Sequence, residues 1–190
     1  MTDKEKKGRC VRGWIDDYVC LDLETTGLSA DFNEIIEIGA VRVRGGEPVA
    51  EFSTLVKPDE WIPEVITDIT GISNGMVEKA PSVNQVLPAL LDFIGSDPIL
   101  GHNVSFDLAF LRKNCRRWLD AELENDWLDT MRISRKLLPY EPHHRLCDLE
   151  RIFRLHNEHA HRALSDALLT HECYRKLKEY AELLGSSARG

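Results

Sequence analysis

Apolar and polar residues alternate through the first part of the chain. From Tyr18 to Glu24, Val19, Leu21 and Leu23 share one face and Tyr18, Cys20, Asp22 and Glu24 the other, which is the period of a strand. Ile35 to Val43 is rich in β-branched residues and predicts a second strand. Arg44-Gly45-Gly46-Glu47 is a turn signal, and Val49 to Val56 returns as a hairpin partner. The second half changes to helical spacing. Val83 to Ile94 predicts a helix that Pro88 should kink or open. Ile99 to His102 predicts a short strand, Ser105 a cap for a helix through Lys113, and Trp127 to Thr130 another strand before a helix that Pro139 closes. Leu146, Leu149, Ile152 and Phe153 recur at helical spacing, and a last helix is expected from about Ala163 to Leu184. A hairpin meander followed by strands alternating with helices predicts an α/β domain, a mixed sheet covered by helices.

A length of 190 residues suits one domain, expected over 18–184, with a flexible N-terminal segment at 1–17 and a flexible tail at 185–190. The formal net charge is −8, so duplex nucleic acid is not held by bulk attraction, although bound divalent cations can supply positive charge locally. No apolar run approaches the roughly 18 residues of a membrane span, and the charged N-terminus lacks the core of a signal peptide. The five cysteines form no Cys-x-x-Cys pair and read as free thiols in a reducing cytoplasm. His143, His144 and Cys147 lie close together but lack a fourth ligand at zinc-site spacing.

Four acidic residues in three stretches of sequence change the picture. In Asp22-Leu23-Glu24 two carboxylates point to one face of a strand, about 6.5 to 7 Å apart, and repel unless something positive lies between them. Thr25-Thr26-Gly27 ends that strand, and ligands in α/β sheets bind at such C-terminal ends. Taken alone the pair is equally well a solvated strand face. Asp107 falls in the first turn of its helix, where the dipole by itself favours a carboxylate. Phe106 and Phe110, one turn apart, suit core packing. His161 and Asp166 are five residues apart, about 500° around a helix, so both aim at one point only if His161 sits on the entering loop.

In combination and in this order, these residues resemble the DEDDh exonucleases, the family of the proofreading epsilon subunit of bacterial DNA polymerase III and the PolC exonuclease domain. The resemblance covers about residues 18 to 180. It is carried by Leu21-Asp22-Leu23-Glu24-Thr25-Thr26-Gly27-Leu28, by Gly101-His102-Asn103 through Phe106-Asp107, and by His161 through Asp166. Ile35-Ile36-Glu37-Ile38-Gly39-Ala40, Thr70-Gly71-Ile72 and Leu128-Asp129-Thr130 support it. It implies a ribonuclease H-like fold, a central mixed five-stranded sheet whose first three strands are antiparallel. It further implies that Asp22, Glu24, Asp107 and Asp166 hold two divalent ions, Mg²⁺ or Mn²⁺, and that His161 takes the proton of the attacking water. The related DEDDy group has tyrosine four residues before the last aspartate, where this chain has Arg162.

By the same resemblance Thr25, Leu28, Thr70, Ile72, His102 and Phe106 flank the 3′-terminal nucleotide. The implied activity is 3′→5′ exonucleolytic release of nucleoside 5′-monophosphates from single-stranded or frayed DNA ends, in proofreading or repair. An RNA-trimming exonuclease and a weakly active polymerase accessory module are the rivals, and a DNA polymerase is the candidate partner. The replicative member carries a C-terminal polymerase- and clamp-binding segment that is not recognised here, so a free-standing or surface-docked enzyme is expected.

Overall fold

The computed structural model describes residues 8–157 and 160–187. Three antiparallel strands come first: β1 (Tyr18–Thr25), β2 (Ile35–Arg44) and β3 (Glu47–Leu55). The β2–β3 turn uses Gly45 and Gly46 at φ 57° and 83°, the two consecutive positive values that a tight hairpin requires. Two short helices follow, α1 (Glu64–Thr70) and α2 (Asn74–Val77), and then α3 (Val83–Ile94). The chain continues as β4 (Ile99–Gly101), α4 (Ser105–Leu119), β5 (Trp127–Asp129), α5 (Thr130–Leu137), α6 (Leu146–Phe153) and α7 (Ala163–Ser187). The five strands lie in the order β3-β2-β1-β4-β5, with β4 and β5 parallel to β1.

β1 is central and covered on both faces, so its alternation sorts residues between two cores rather than between core and water. Val19, Leu21 and Leu23 join Leu87, Leu90, Leu108 and Leu111 from α3 and α4. Tyr18 and Cys20 join Leu128, Ala167 and Tyr174 on the α5–α7 side. Asp22 and Glu24 continue this second face at the C-terminal end of β1. The outer strand β3 carries exposed Glu47 and Glu51, charges that discourage pairing with another chain.

Several expectations are corrected. Residues 8–17 are docked, not a flexible segment: the Val11 amide donates to the Trp127 carbonyl and the Trp127 amide to that of Arg9, both at 2.9 Å. Trp14 packs on Tyr174, whose hydroxyl bonds the backbone of Ile15. The cause is apolar: Val11, Trp14 and Ile15 cover the second core beside β5. Residues 185–187 continue α7 instead of starting a tail. The remaining parts of both expected segments, 1–7 and 188–190, lie outside the described residues. Pro88 stands well inside α3 on its exposed side, where the Asn84 carbonyl, deprived of its helical donor, can turn to water. Ser105 opens α4 without a capping side chain, and that helix runs on to Leu119. The helices α1 and α2 were not expected. Among the described residues no helix is long and apolar enough to cross a membrane, and all five cysteines are free.

Candidate active site

The acidic residues converge where β1 and β4 end and α4 and α7 begin. Asp107 is held in the first turn of α4, and the Leu23 amide of β1 donates to its Oδ1 at 3.1 Å, tying the helix start to the strand between Asp22 and Glu24. Across β1 and β2, Asp22 pairs with Gly39 and Glu24 with Glu37. Gly39 matters because α7 starts directly on it: a Cβ there would stand 2.1 Å from the Leu164 nitrogen. This close approach brings Asp166, in the first turn of α7, to the acidic end of β1.

His161 lies on the turn before α7 with φ 62°, a left-handed conformation uncommon for a residue with a side chain. Its amide donates to Asp166 Oδ2 at 3.1 Å, and Asn157 Nδ2 donates to Oδ1 at 2.7 Å, so the aspartate is oriented from both sides. Ser165 in turn bonds Asn157. One donor atom from each of Glu24, His161 and Asp166 lies within 4.8 Å of the other two, the one such His/Cys/Asp/Glu group among the described residues. His143, His144 and Cys147 make no such group.

Burial pushes the Asp22 carboxyl well above the usual carboxylate range, and the neighbouring charges of Asp107, Asp166 and Glu24 push it further. Glu24 is raised to about 7, first by burial and then by Asp166 and Glu37, with Arg162 pulling the other way. Asp107 is raised to about 8 by burial, against the backbone amides that favour its charge. Asp166 is raised as well, chiefly by burial. Four carboxyl groups that resist ionising together form a site short of positive charge. An all-oxygen donor set with one imidazole beside it fits a hard divalent cation such as Mg²⁺ or Mn²⁺.

The residues expected to touch a nucleotide divide. Leu28 projects at 88% exposure from a loop that Thr26 and Glu34 close by two hydrogen bonds. The Thr25 hydroxyl donates to the Gly27 carbonyl at 2.7 Å and shapes the start of that loop. Thr70 is buried, its hydroxyl donating to Ile66 and accepting from the Ile72 amide. Ile72 is 0% exposed, packed with Ile36, Ile62 and Val77, so the expected nucleotide contact is corrected to a core role. His102 bonds Thr130 Oγ1 through Nδ1 at 2.9 Å, and burial lowers its proton affinity to about 4, so it is neutral near pH 7. Phe106 packs against Phe110, ring centroids 5.0 Å apart and planes tilted by 50°, and is half-buried. Asn157 was missed. It lies in a polar, histidine-rich run with no spacing signal, and only the folded turn shows what it holds.

A cavity of about 600 Å³ opens elsewhere, between residues 10–14, α5 and α7. The carboxylates are the better guide to chemistry, because a strand end needs an open face more than an enclosed pocket.

Comparison with known proteins places the chain in a family of exonucleases. The RNase_T family model, described as an exonuclease, matches residues 19–174. The chain is 38% identical over 162 residues to the DNA polymerase III subunit epsilon of Aquifex aeolicus, covering 85% of this chain and 80% of that one. It is 37% identical to the PolC-type DNA polymerase III of Clostridium perfringens, covering 88% of this chain but spanning only 12% of that much longer protein. Among solved structures, exonuclease X in complex with 5′ overhanging duplex DNA superposes with a TM-score of 0.69 at 30% identity, over 85% of this chain and 91% of that one. E. coli exonuclease I in complex with a dT13 oligonucleotide shares the fold, with a TM-score of 0.73 at 19% identity over 91% of this chain and 43% of that one.

Proposed function

The chain belongs to the RNase_T exonuclease family, with its ribonuclease H-like fold, and on that premise we propose that it works from 3′ ends. It hydrolyses the terminal phosphodiester of single-stranded or frayed DNA and releases nucleoside 5′-monophosphates. The observation that carries this reading is the meeting of Glu24, His161 and Asp166 within 4.8 Å. Beyond the effect of burial, Asp107, Asp166 and Glu24 raise the proton affinity of Asp22, and Glu24 raises that of Asp107, which supports counting both with this group.

Asp22, Glu24, Asp107 and Asp166 would hold two divalent ions, Mg²⁺ or Mn²⁺. Bound there, such ions supply Lewis-acid charge to the scissile phosphate and make a bound water more acidic. The chain's own residues do the rest. His161 stands on an exposed turn beside Glu24 and Asp166, where its imidazole can accept the proton of the attacking water. Asp166, held by Asn157 and the His161 amide, keeps the imidazole and the acidic cluster in register. Leu28 offers an apolar tip against the last base, a contact that tolerates any sequence. By the resemblance to the exonucleases, Thr25, His102 and Phe106 are proposed to contact the same terminal nucleotide.

The relatives are named as polymerase subunits and polymerases, and the chain is proposed to serve beside a DNA polymerase in proofreading or repair. Its free thiols suit a reducing cytoplasm. The test is digestion of 3′-labelled, mismatched primer–template DNA beside an equivalent RNA, with Mg²⁺, Mn²⁺ or EDTA. Labelled mononucleotide released from the mismatch with metal, and none with EDTA, is expected. Release from 5′ ends, or cleavage that survives EDTA, refutes the reading. Faster digestion of the RNA moves it to an RNA-trimming enzyme.

A further inference from the structure

Glu37 lies in β2, paired across the sheet with Glu24, and its side chain is only 3% exposed. One short stretch of chain takes up both of its oxygens. Arg162 Nε stands 3.1 Å from each, Arg162 Nη2 donates to Oε1 at 2.6 Å, and the Ala163 amide donates to Oε2 at 2.9 Å. Ala163 opens α7, so that amide is one of the helix-start donors with no partner inside the helix. Two residues further along β2, Gly39 leaves the space in which α7 begins. Directly before these anchors the chain passes through the left-handed conformation of His161, which persists only where surrounding contacts impose it.

We propose that Glu37 is a positioning residue of the exonuclease site. By holding the Arg162 fork and the Ala163 amide on one carboxylate, it sets the backbone of the 161–163 turn. That turn places the His161 imidazole and the Asp166 carboxylate against Glu24. The role is geometric: Glu37 meets the turn through Arg162 and the Ala163 amide and is not itself one of the group formed by Glu24, His161 and Asp166. A shielded ion pair is also a weak source of stability in its own right. What a carboxylate does here that an apolar residue cannot is accept from a planar guanidinium and a backbone amide at once.

The role depends on the exonuclease reading only for its catalytic readout, so the experiment has two arms. Glu37→Gln, Arg162→Lys, Arg162→Met and the Glu37→Gln/Arg162→Met double variant are compared by kcat and KM on an oligo-dT strand. Hydrogen exchange at the Ala163 and Asp166 amides is measured on the same proteins without nucleic acid. Misplacing the turn by about 1 Å is expected to lower kcat about 10- to 100-fold in each single variant while KM stays within about threefold. The double variant should be no worse than the worse single, and exchange at Ala163 should quicken. Arg162→Lys keeps the charge on a half-exposed side chain, so it folds even if Glu37→Gln does not, and it should fail to restore kcat. Full activity in Arg162→Lys, losses that multiply in the double variant, or unchanged exchange at Ala163 would each overturn the proposal. A wild-type protein without nuclease activity would sink the functional reading, while the exchange arm still decides whether Glu37 holds the turn.

Discussion

Glu24→Gln gives a test in which stability and activity move in opposite directions. The substitution keeps the shape of the side chain and removes a charge that the fold resists. Glu24 takes up protons near pH 7 in the folded chain against an ordinary value of 4.5, because it is buried beside Asp166 and Glu37. Below pH 4.5 the group is neutral whether the chain is folded or not, and it costs nothing. As pH rises from there to 7 the unfolded chain ionises it and the folded chain does not, so folding loses stability across that window and no more beyond it. At 1.36 kcal/mol per pKa unit the full loss is about 3 kcal/mol, and solvent reaching the half-buried carboxyl reduces it to about 2 kcal/mol. In a chain of this size that corresponds to roughly 4–8 °C in Tm. Thermal melts in EDTA should therefore show Glu24→Gln level with wild type near pH 4.5 and several degrees above it at pH 8. Adding Mg²⁺ should raise the wild type more than the variant and narrow the gap, while mononucleotide release by the variant collapses. A variant that melts below wild type at pH 8, or a gap that does not change with pH, would show that Glu24 is not held under electrostatic strain.

His161→Ala should slow hydrolysis by about 10²- to 10⁴-fold while Mg²⁺ still raises Tm, since the acidic residues remain; a rate within about threefold of wild type removes the imidazole from the reaction. Gly39→Ala puts a methyl group 2.1 Å from the Leu164 nitrogen, and the displaced start of α7 should lower stability by about 1–3 kcal/mol in denaturant titrations and take activity with it. Leu28→Ser should leave Tm within about 1–2 °C, because the side chain stands in water, yet weaken single-strand binding by fluorescence anisotropy. With a net charge of −8, few phosphates should be engaged by lysine or arginine. The slope of log(kcat/KM) against log[KCl] is thus expected to be no steeper than about −2, and a slope near −5 would reveal a basic track.

β1 was legible because residues two apart must share a face, β2 because its run is rich in β-branched residues, and β3 because the Gly45-Gly46 turn signal implies a returning partner. Spacing could place Asp22 and Glu24 at a strand end and Asp107 in a first helical turn, but only the resemblance to the exonucleases joined them with Asp166 into one cluster. What stayed hidden depends on contacts that spacing does not encode. The helices α1 and α2 are 7 and 4 residues long, too short to display a period. Residues 8–17 look polar because Arg9, Arg12, Asp16 and Asp17 outnumber the Val11, Trp14 and Ile15 that dock them. Ile72 could face a ligand or the interior, and only the packing of Ile36, Ile62 and Val77 around it decides for the interior. Asn157 is one polar residue in a polar run until the turn before α7 closes over Asp166.

The same contacts explain how an acidic centre stays available to cations. Two of the four carboxylates are held by neutral donors: Asp107 by the Leu23 amide, Asp166 by Asn157 and the His161 amide. The first turns of α4 and α7 add the partial positive charge of helix starts, enough to orient a carboxylate but not to neutralise it. Arg162 comes near enough to lower the proton affinity of Glu24, yet its guanidinium is drawn off onto Glu37 one strand over. Turned instead onto Glu24 or Asp166, that guanidinium would relieve the repulsion permanently and stabilise the metal-free protein. It would also occupy the position where divalent charge has to enter. Binding Arg162 to Glu37 therefore does two things at once, fixing the turn that carries His161 and keeping a fixed cation out of the carboxylate cluster.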